Sequence, residues 1–302
     1  MTLNATSPER LQCASALRAV ILLAGRIGRD PFADGVGRSA LDLPVDEERT
    51  VSDLWAEQFG DVARLFGPDG LRVLVSVDCA GPRPHVRPER GPSRVEWSVV
   101  RDRAEYRGTA GVVRDLTRGF DDDERVLVVT ASLVQRESLA DVVGRLTRFD
   151  EGVCVVPRDG GDHATAFLLR CGRLRGVPDV GFVDLKEQAI PAGRGYGPLT
   201  VVRRPQGSAL PIRTLAEYVH ALREIRRDCA DTWAEDPFAE TWSPRFALVE
   251  PGADVDPGAV LLDSVVLAGG RVEQGAVVAR SIVCAGGVVR RGTHLVESVA
   301  AE

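Results

Sequence analysis

The chain is nearly devoid of lysine. Of its 38 basic side chains, 37 are arginine and only Lys186 is lysine. Codon bias in a GC-rich genome accounts for most of this. A position that stays lysine amid such a drift still points to a compact ammonium where a planar guanidinium does not fit. No apolar run reaches about 18 residues, the length that spans a bilayer, so no membrane association is expected. Ala19–Leu23 is too short for that and has no basic flank, so it reads as a first core strand and not as a signal peptide. The six cysteines are scattered without a C-x-x-C pair. That excludes the usual zinc spacing and points to reduced thiols in a cytoplasm. With net charge −6 and pI about 5.4, neither a nucleic acid nor an anionic surface is an expected partner.

What is present most clearly is a repeat of 17 positions at the end of the chain. In register the rows are ALVEPGADVDPGAVLLD from Ala247, SVVLAGGRVEQGAVVAR from Ser264 and SIVCAGGVVRRGTHLVE from Ser281. Gly252, Gly269 and Gly286 share a column, as do Val255, Val272 and Val289. A fixed period of this kind means stacked coils that share one core. Three short strands per row, with glycine at the corners, predict a short left-handed parallel β-helix.

Upstream the pattern alternates. Ala19–Leu23, Leu71–Val77, Val95–Val100 and Arg125–Val129 read as strands, and Val51–Phe66, Thr109–Arg118 and Ser138–Phe149 as helices. This order predicts an α/β, Rossmann-like domain with a mostly parallel sheet and helices on both faces. The expected division is 1–228 for that domain, 229–246 for a linker carrying Trp233 and Trp242, and 247–302 for the β-helix.

Four segments carry chemistry. The loop after the first strand, with Ala24, Gly25, Gly28 and Arg29, has the shape of a phosphate cradle. Gly108, Thr109, Ala110 and Gly111 open a helix with small residues, leaving room for a base or phosphate at its positive end. The third is Gly181–Pro191, which contains Lys186. The β-helix is the fourth. In this order they resemble the sugar-1-phosphate nucleotidylyltransferases, whose signature runs from L-A-G-G-x-G-T-R-L through K-P-L-x-P-V, G-T-A-G and a strand ending in N-G-D. A lysine-bearing segment before I-P follows, then a turn into a helix and often a hexapeptide-repeat β-helix. The resemblance implies transfer of a nucleotidyl group to a sugar-1-phosphate, with two carboxylates holding Mg²⁺. For Lys186 it implies a sugar-phosphate contact, beside the alternative of a surface ion pair with Asp184 or Glu187.

The departures fall on the reacting groups. Arg26 replaces a loop glycine, and Arg38 or Ser39 stands for the lysine of K-P-L-x-P-V. Ser132 and Pro211 stand where the two metal carboxylates are expected, and neither is a ligand for a hard cation. Asp121–Glu124 precede the fourth strand, far from the edge that binds ligands in open α/β sheets. The expectation is therefore a degenerate relative without cofactor that binds a nucleotide or sugar phosphate, or serves as a regulatory or scaffolding partner. Self-association or partner docking through the β-helix is also expected. The alternative is an active nucleotidyltransferase using Mg²⁺ and ligands not visible in the motifs.

Overall fold

The computed structural model describes residues 17–25, 31–64, 70–79, 81–86, 94–103, 107–147, 153–157, 164–190, 199–202, 207–230 and 246–301. The chain forms two compact units. The first, Met1–Arg26, Ser52–Ala131 and Gln135–Ala209, is built on one seven-stranded sheet. Its strands are β1 (Leu17–Leu23), β2 (Leu71–Val77), β3 (Val95–Arg101), β4 (Arg125–Thr130), β5 (Val153–Pro157), β6 (Ala164–Arg170) and β7 (Leu199–Val201). The spatial order is β3-β2-β1-β4-β6-β5-β7. β1 to β4 run parallel, and β6 is antiparallel to both β4 and β5. Ala19–Leu22 and Val126–Val128 are wholly buried, because a central parallel strand is covered on both faces.

Three helices serve this sheet. On α1 (Val51–Ala63), Val51, Trp55, Phe59 and Val62 recur at helical spacing and are buried. Phe59 stacks on Trp55 and meets Trp97 of β3, each at 5.3 Å between ring centres. α2 spans Gly108–Leu116. α3 spans Leu139–Leu146 and is capped by the Ser138 hydroxyl, which accepts from the Asp141 amide. The strand order reverses between β1 and β4, and such a switch point opens the ligand crevice at the C-terminal edge of an α/β sheet.

The second unit is Ile27–Val51, Ser132–Val134 and Leu210–Glu302. It holds the 17-residue repeat, which forms a parallel β-helix. One face stacks Leu248, Val265, Ile282 and Val299. A second stacks Val255, Val272 and Val289, and a third Leu261, Val278 and Leu295. Val266, Val272, Val278, Val283 and Val289 fill the interior. The glycine corners have φ of +93, +81 and +79° at Gly252, Gly269 and Gly286. A further corner has no glycine. Asp263, Arg280 and Glu297 sit there at φ of 49, 48 and 48°, a conformation that costs an ordinary residue of order 1 kcal/mol.

A serine column supports that corner. Ser264 and Ser281 are wholly buried. The Ser264 hydroxyl accepts from the Ser281 amide at 3.2 Å and the Ser281 hydroxyl from the Ser298 amide at 3.1 Å, while each donates to a carbonyl two residues back. The coil is also braced by its own unit. Arg38 donates to both oxygens of Glu250 at 2.9 Å, and Glu250 accepts from the Ala268 amide at 2.8 Å. α4 (Leu215–Ala230) contributes Arg223, paired with Asp263 at 2.6 Å, and the buried Tyr218, whose phenol donates to the Pro44 carbonyl at 2.5 Å. Burial pushes that phenol well above its ordinary pKa. Trp233 and Trp242 lie outside the described residues.

A buried hydroxyl lost from the column leaves an amide without its acceptor. Ser264→Ala is expected to cost about 1–3 kcal/mol, whereas Ser298→Ala, at the open end of the column, should cost less than about 0.5 kcal/mol. Urea midpoints of the full chain distinguish the two.

Candidate functional site

The C-terminal ends of β1, β2 and β3 meet in the first unit. The Ala24 amide donates to the Ser76 carbonyl at 2.8 Å, the Asp102 amide to the Val77 carbonyl at 2.8 Å, and the Ala131 amide to the Leu23 carbonyl at 2.9 Å. Two carboxylates follow directly on the strands, Asp78 after β2 and Asp102 after β3. Asp78 lies against Gly25, where an added Cβ would come within 2.4 Å of its Oδ1. The Ser76 hydroxyl donates to Asp102 Oδ1 at 2.6 Å. Burial raises the Asp102 pKa above the usual carboxylate value; the Ser76 bond lowers it, and the charges of Asp78 and Asp115 raise it further. A small depression beside them is lined by Arg101, Asp102, Arg103, Arg107, Val112 and Asp115, among others. Sequence reading singled out neither acid. The available signal was position alone, an aspartate within one residue of the end of a parallel strand.

The second and third expected segments are brought together, and they bind each other. Arg107 is 5% exposed. Its guanidinium holds the Asp115 carboxylate at 3.0 and 3.1 Å, and the carbonyls of Pro178 and Gly181 at 3.0 and 3.3 Å. Gly108 has φ of +67°, and a Cβ there would lie 2.4 Å from the Val183 carbonyl oxygen. The Ala110 amide donates to that same oxygen at 3.0 Å. The Thr109 hydroxyl accepts from the Leu185 amide at 2.9 Å and donates to Asp184 at 3.2 Å. Asp184 caps the turn Leu185–Ala189 through the amides of Lys186 and Glu187. Gly111 gives its carbonyl to Arg107 at 3.4 Å.

Lys186, the second residue of this turn, is exposed, and among the described residues its ammonium pairs with neither Asp184 nor Glu187. Gly28 and Arg29 lie outside the described residues, so of the first loop only Ala24 and Gly25 are placed.

The two positions expected for metal carboxylates are neighbours in the second unit. The Ile212 amide donates to the Ser132 carbonyl at 3.1 Å, which sets Pro211 beside Ser132. A hydroxyl and a pyrrolidine ring do not fit a hard dication. Of the residues standing for the K-P-L-x-P-V lysine, Arg38 is taken by Glu250, and the Ser39 hydroxyl caps a short turn by accepting from the Leu41 amide at 3.3 Å. Asp122, Asp123 and Glu124 pair with Arg175, Arg170 and Arg18 at the opposite end of β4. Exposed pairs of this kind contribute little. His294 is an exposed residue on the third face of the coil.

Removing Arg107 would leave the Pro178, Gly181 and Gly111 carbonyls without this donor and Asp115 with Arg114 alone. Arg107→Met is expected to cost about 3–5 kcal/mol. Gly108→Ala is expected to cost at least about 2 kcal/mol from strain and overlap. Arg114→Ala, which loses its pairs with the exposed Asp179 and with Asp115, should cost less than Arg107→Met because Asp115 keeps Arg107. Denaturant unfolding of the three variants ranks them.

No family model matches the chain, and no curated protein matches it either. Solved structures do. A Bacillus anthracis protein assigned as a glucose-1-phosphate thymidylyltransferase, crystallised with a sucrose, superposes with a TM-score of 0.54 at 14% identity, covering 69% of this chain and 95% of its own. A Mycobacterium tuberculosis rv0371c homolog from mycobacterium sp. strain JC1 gives 0.47 at 14% identity, covering 70% and 98%. The first likeness shows that the chain shares the fold of that protein over 69% of its length.

Proposed function

We propose that the protein is a degenerate sugar-nucleotide pyrophosphorylase-like protein. It binds a nucleotide or sugar phosphate without turning it over, or acts as a regulatory or scaffolding partner in nucleotide-sugar or polysaccharide metabolism. The observation that carries this reading is the pairing of Ser132 with the Pro211–Ile212 segment in a chain with a nucleotidyltransferase fold. Phosphoryl transfer needs charge neutralised around the reacting phosphorus, and these residues offer no anion to a metal. The ligand-binding residues are Ala24, Gly25, Gly28, Arg29, Gly108–Gly111 and Lys186. With the Ala110 amide engaged by the Val183 carbonyl, the exposed Lys186 supplies positive charge. The sucrose bound by the Bacillus anthracis protein supports a sugar-bearing ligand. The protein acts in the cytoplasm.

One observation favours the active alternative. Asp78 and Asp102 stand at the ligand edge of the sheet, and an enzyme using them would need neither Ser132 nor Pro211. Pyrophosphate release, measured with each nucleoside triphosphate and common hexose-1-phosphates, decides between the readings. Turnover is expected far below about 1 per second, the low end of usual enzyme rates. Turnover above that, abolished in Asp102→Ala, would establish the alternative. Ligand binding is expected to raise the melting temperature of the full chain and to weaken in Lys186→Ala.

The β-helix, of the left-handed hexapeptide-repeat type by its 17-residue period, is the surface for self-association or a protein partner. Its third face exposes Val260 and Val296 at 46 and 48%, and exposed apolar strands invite docking. Light scattering of the full chain should show an oligomer that Val260→Glu with Val296→Glu dissociates. A monomer in both cases would remove this role.

A further inference from the structure

A glycine at the end of the first strand of an open α/β sheet lets an anion come close to the backbone. Here an anion has come close, and it belongs to the chain. A Cβ placed on Gly25 would meet Asp78 Oδ1 at 2.4 Å and Cγ at 3.4 Å. The carboxylate therefore rests on the Gly25 Cα itself. Gly81 is also close to it, since an added Cβ there would lie 3.2 Å from the Asp78 Cβ and 3.5 Å from Oδ2. Both close approaches are made to the same side chain. Asp78 sits one residue past β2, and the Ala24 amide is tied to β2 through the Ser76 carbonyl. The turn and the carboxylate are thus held in register by the sheet. Asp102 adds negative charge from β3, close enough to feel Asp78, whereas the Asp115 charge on α2 is taken by Arg107 and Arg114.

We propose that Asp78 is an internal anion seated on the Ala24–Gly25 turn, where it excludes phosphate by autoinhibitory contact. A phosphate oxygen approaching Gly25 meets a carboxylate of like charge at contact distance, in a partly buried place where screening by salt is weak. Ligand capture at this turn then requires Asp78 to swing off Gly25. This inference rests on the reading of the turn as an anion-binding element.

The test is calorimetric titration of the full chain with pyrophosphate, in the wild type, Asp78→Asn, Asp78→Ala and Asp102→Asn. Asparagine keeps the shape and removes the charge; alanine also vacates the seat. Asp102→Asn removes the same charge from the same edge without touching Gly25. Both Asp78 variants are expected to bind pyrophosphate at least about tenfold tighter than the wild type, and Asp102→Asn to gain less than about threefold. Far-UV circular dichroism checks that each variant is folded, and either Asp78 variant alone suffices. Equal gains in Asp78→Asn and Asp102→Asn would overturn the contact in favour of a general field. A wild type that binds as tightly as both Asp78 variants would overturn the inference and leave the nucleotide-binding reading standing. If no form binds pyrophosphate, both fall.

Discussion

A buried guanidinium organises the part of the sheet where function was sought. Moving a cation out of water costs several kcal/mol unless partners surround it, and Arg107 is 5% exposed. Its partners come from two places. Asp115 and the Gly111 carbonyl belong to α2, and the Pro178 and Gly181 carbonyls to the segment that leads into Val183. Satisfying one side chain therefore fixes two stretches of backbone more than 60 residues apart. Once they are fixed, Val183 lies where a Cβ of residue 108 would be, so only glycine serves there. Its carbonyl takes the Ala110 amide, and Thr109 reaches Leu185 and Asp184.

That chain of dependence explains why the R-G-T-A-G motif is ambiguous. Small residues at a helix N-terminus admit a phosphate oxygen, but they admit a backbone carbonyl equally well, and both satisfy the same orphan amides. The sequence pattern contains the vacancy and not its occupant. The same holds for Gly25. Its lack of a side chain was legible as room for an anion. That the nearest anion is Asp78 depends on the parallel pairing of β1 with β2, about 50 residues away in the chain.

Elements governed by local periodicity were read closely. Leu71–Val77 is a strand with those bounds, and the 17-residue rows give the strand register directly, since Val265 pairs with Ile282 and Val272 with Val289. Groups whose meaning is long-range were not. Asp78 and Asp102 look like ordinary turn residues until the strands lie side by side. The pairing of Arg38 with Glu250, 212 residues apart, leaves no trace in either neighbourhood. The serine column stands at the head of two aligned rows, but its value appears only once Asp263, Arg280 and Glu297 are seen with positive φ. Each hydroxyl there links one coil to the next, so the strain of a non-glycine corner is met by a bond that the repeat supplies at every turn.

The distribution of arginine bears on the degenerate reading more than its abundance does. A polyphosphate is held by cations whose donors are free. Among the described residues three arginines near the expected ligand segments are occupied. Arg107 serves Asp115 and three carbonyls, Arg101 the carbonyls of Cys79 and Gly81, and Arg114 the carboxylates of Asp115 and Asp179. At the same edge burial raises the Asp102 pKa, and the charges of Asp78 and Asp115 raise it further. An edge where Arg101 and Arg107 are engaged and Asp78 and Asp102 stand close together disfavours a triphosphate. The exposed ammonium of Lys186 is the exception on the Gly181–Ile190 segment. One point charge on a flexible stem can hold a single phosphate, which matches a sugar phosphate better than a nucleoside triphosphate.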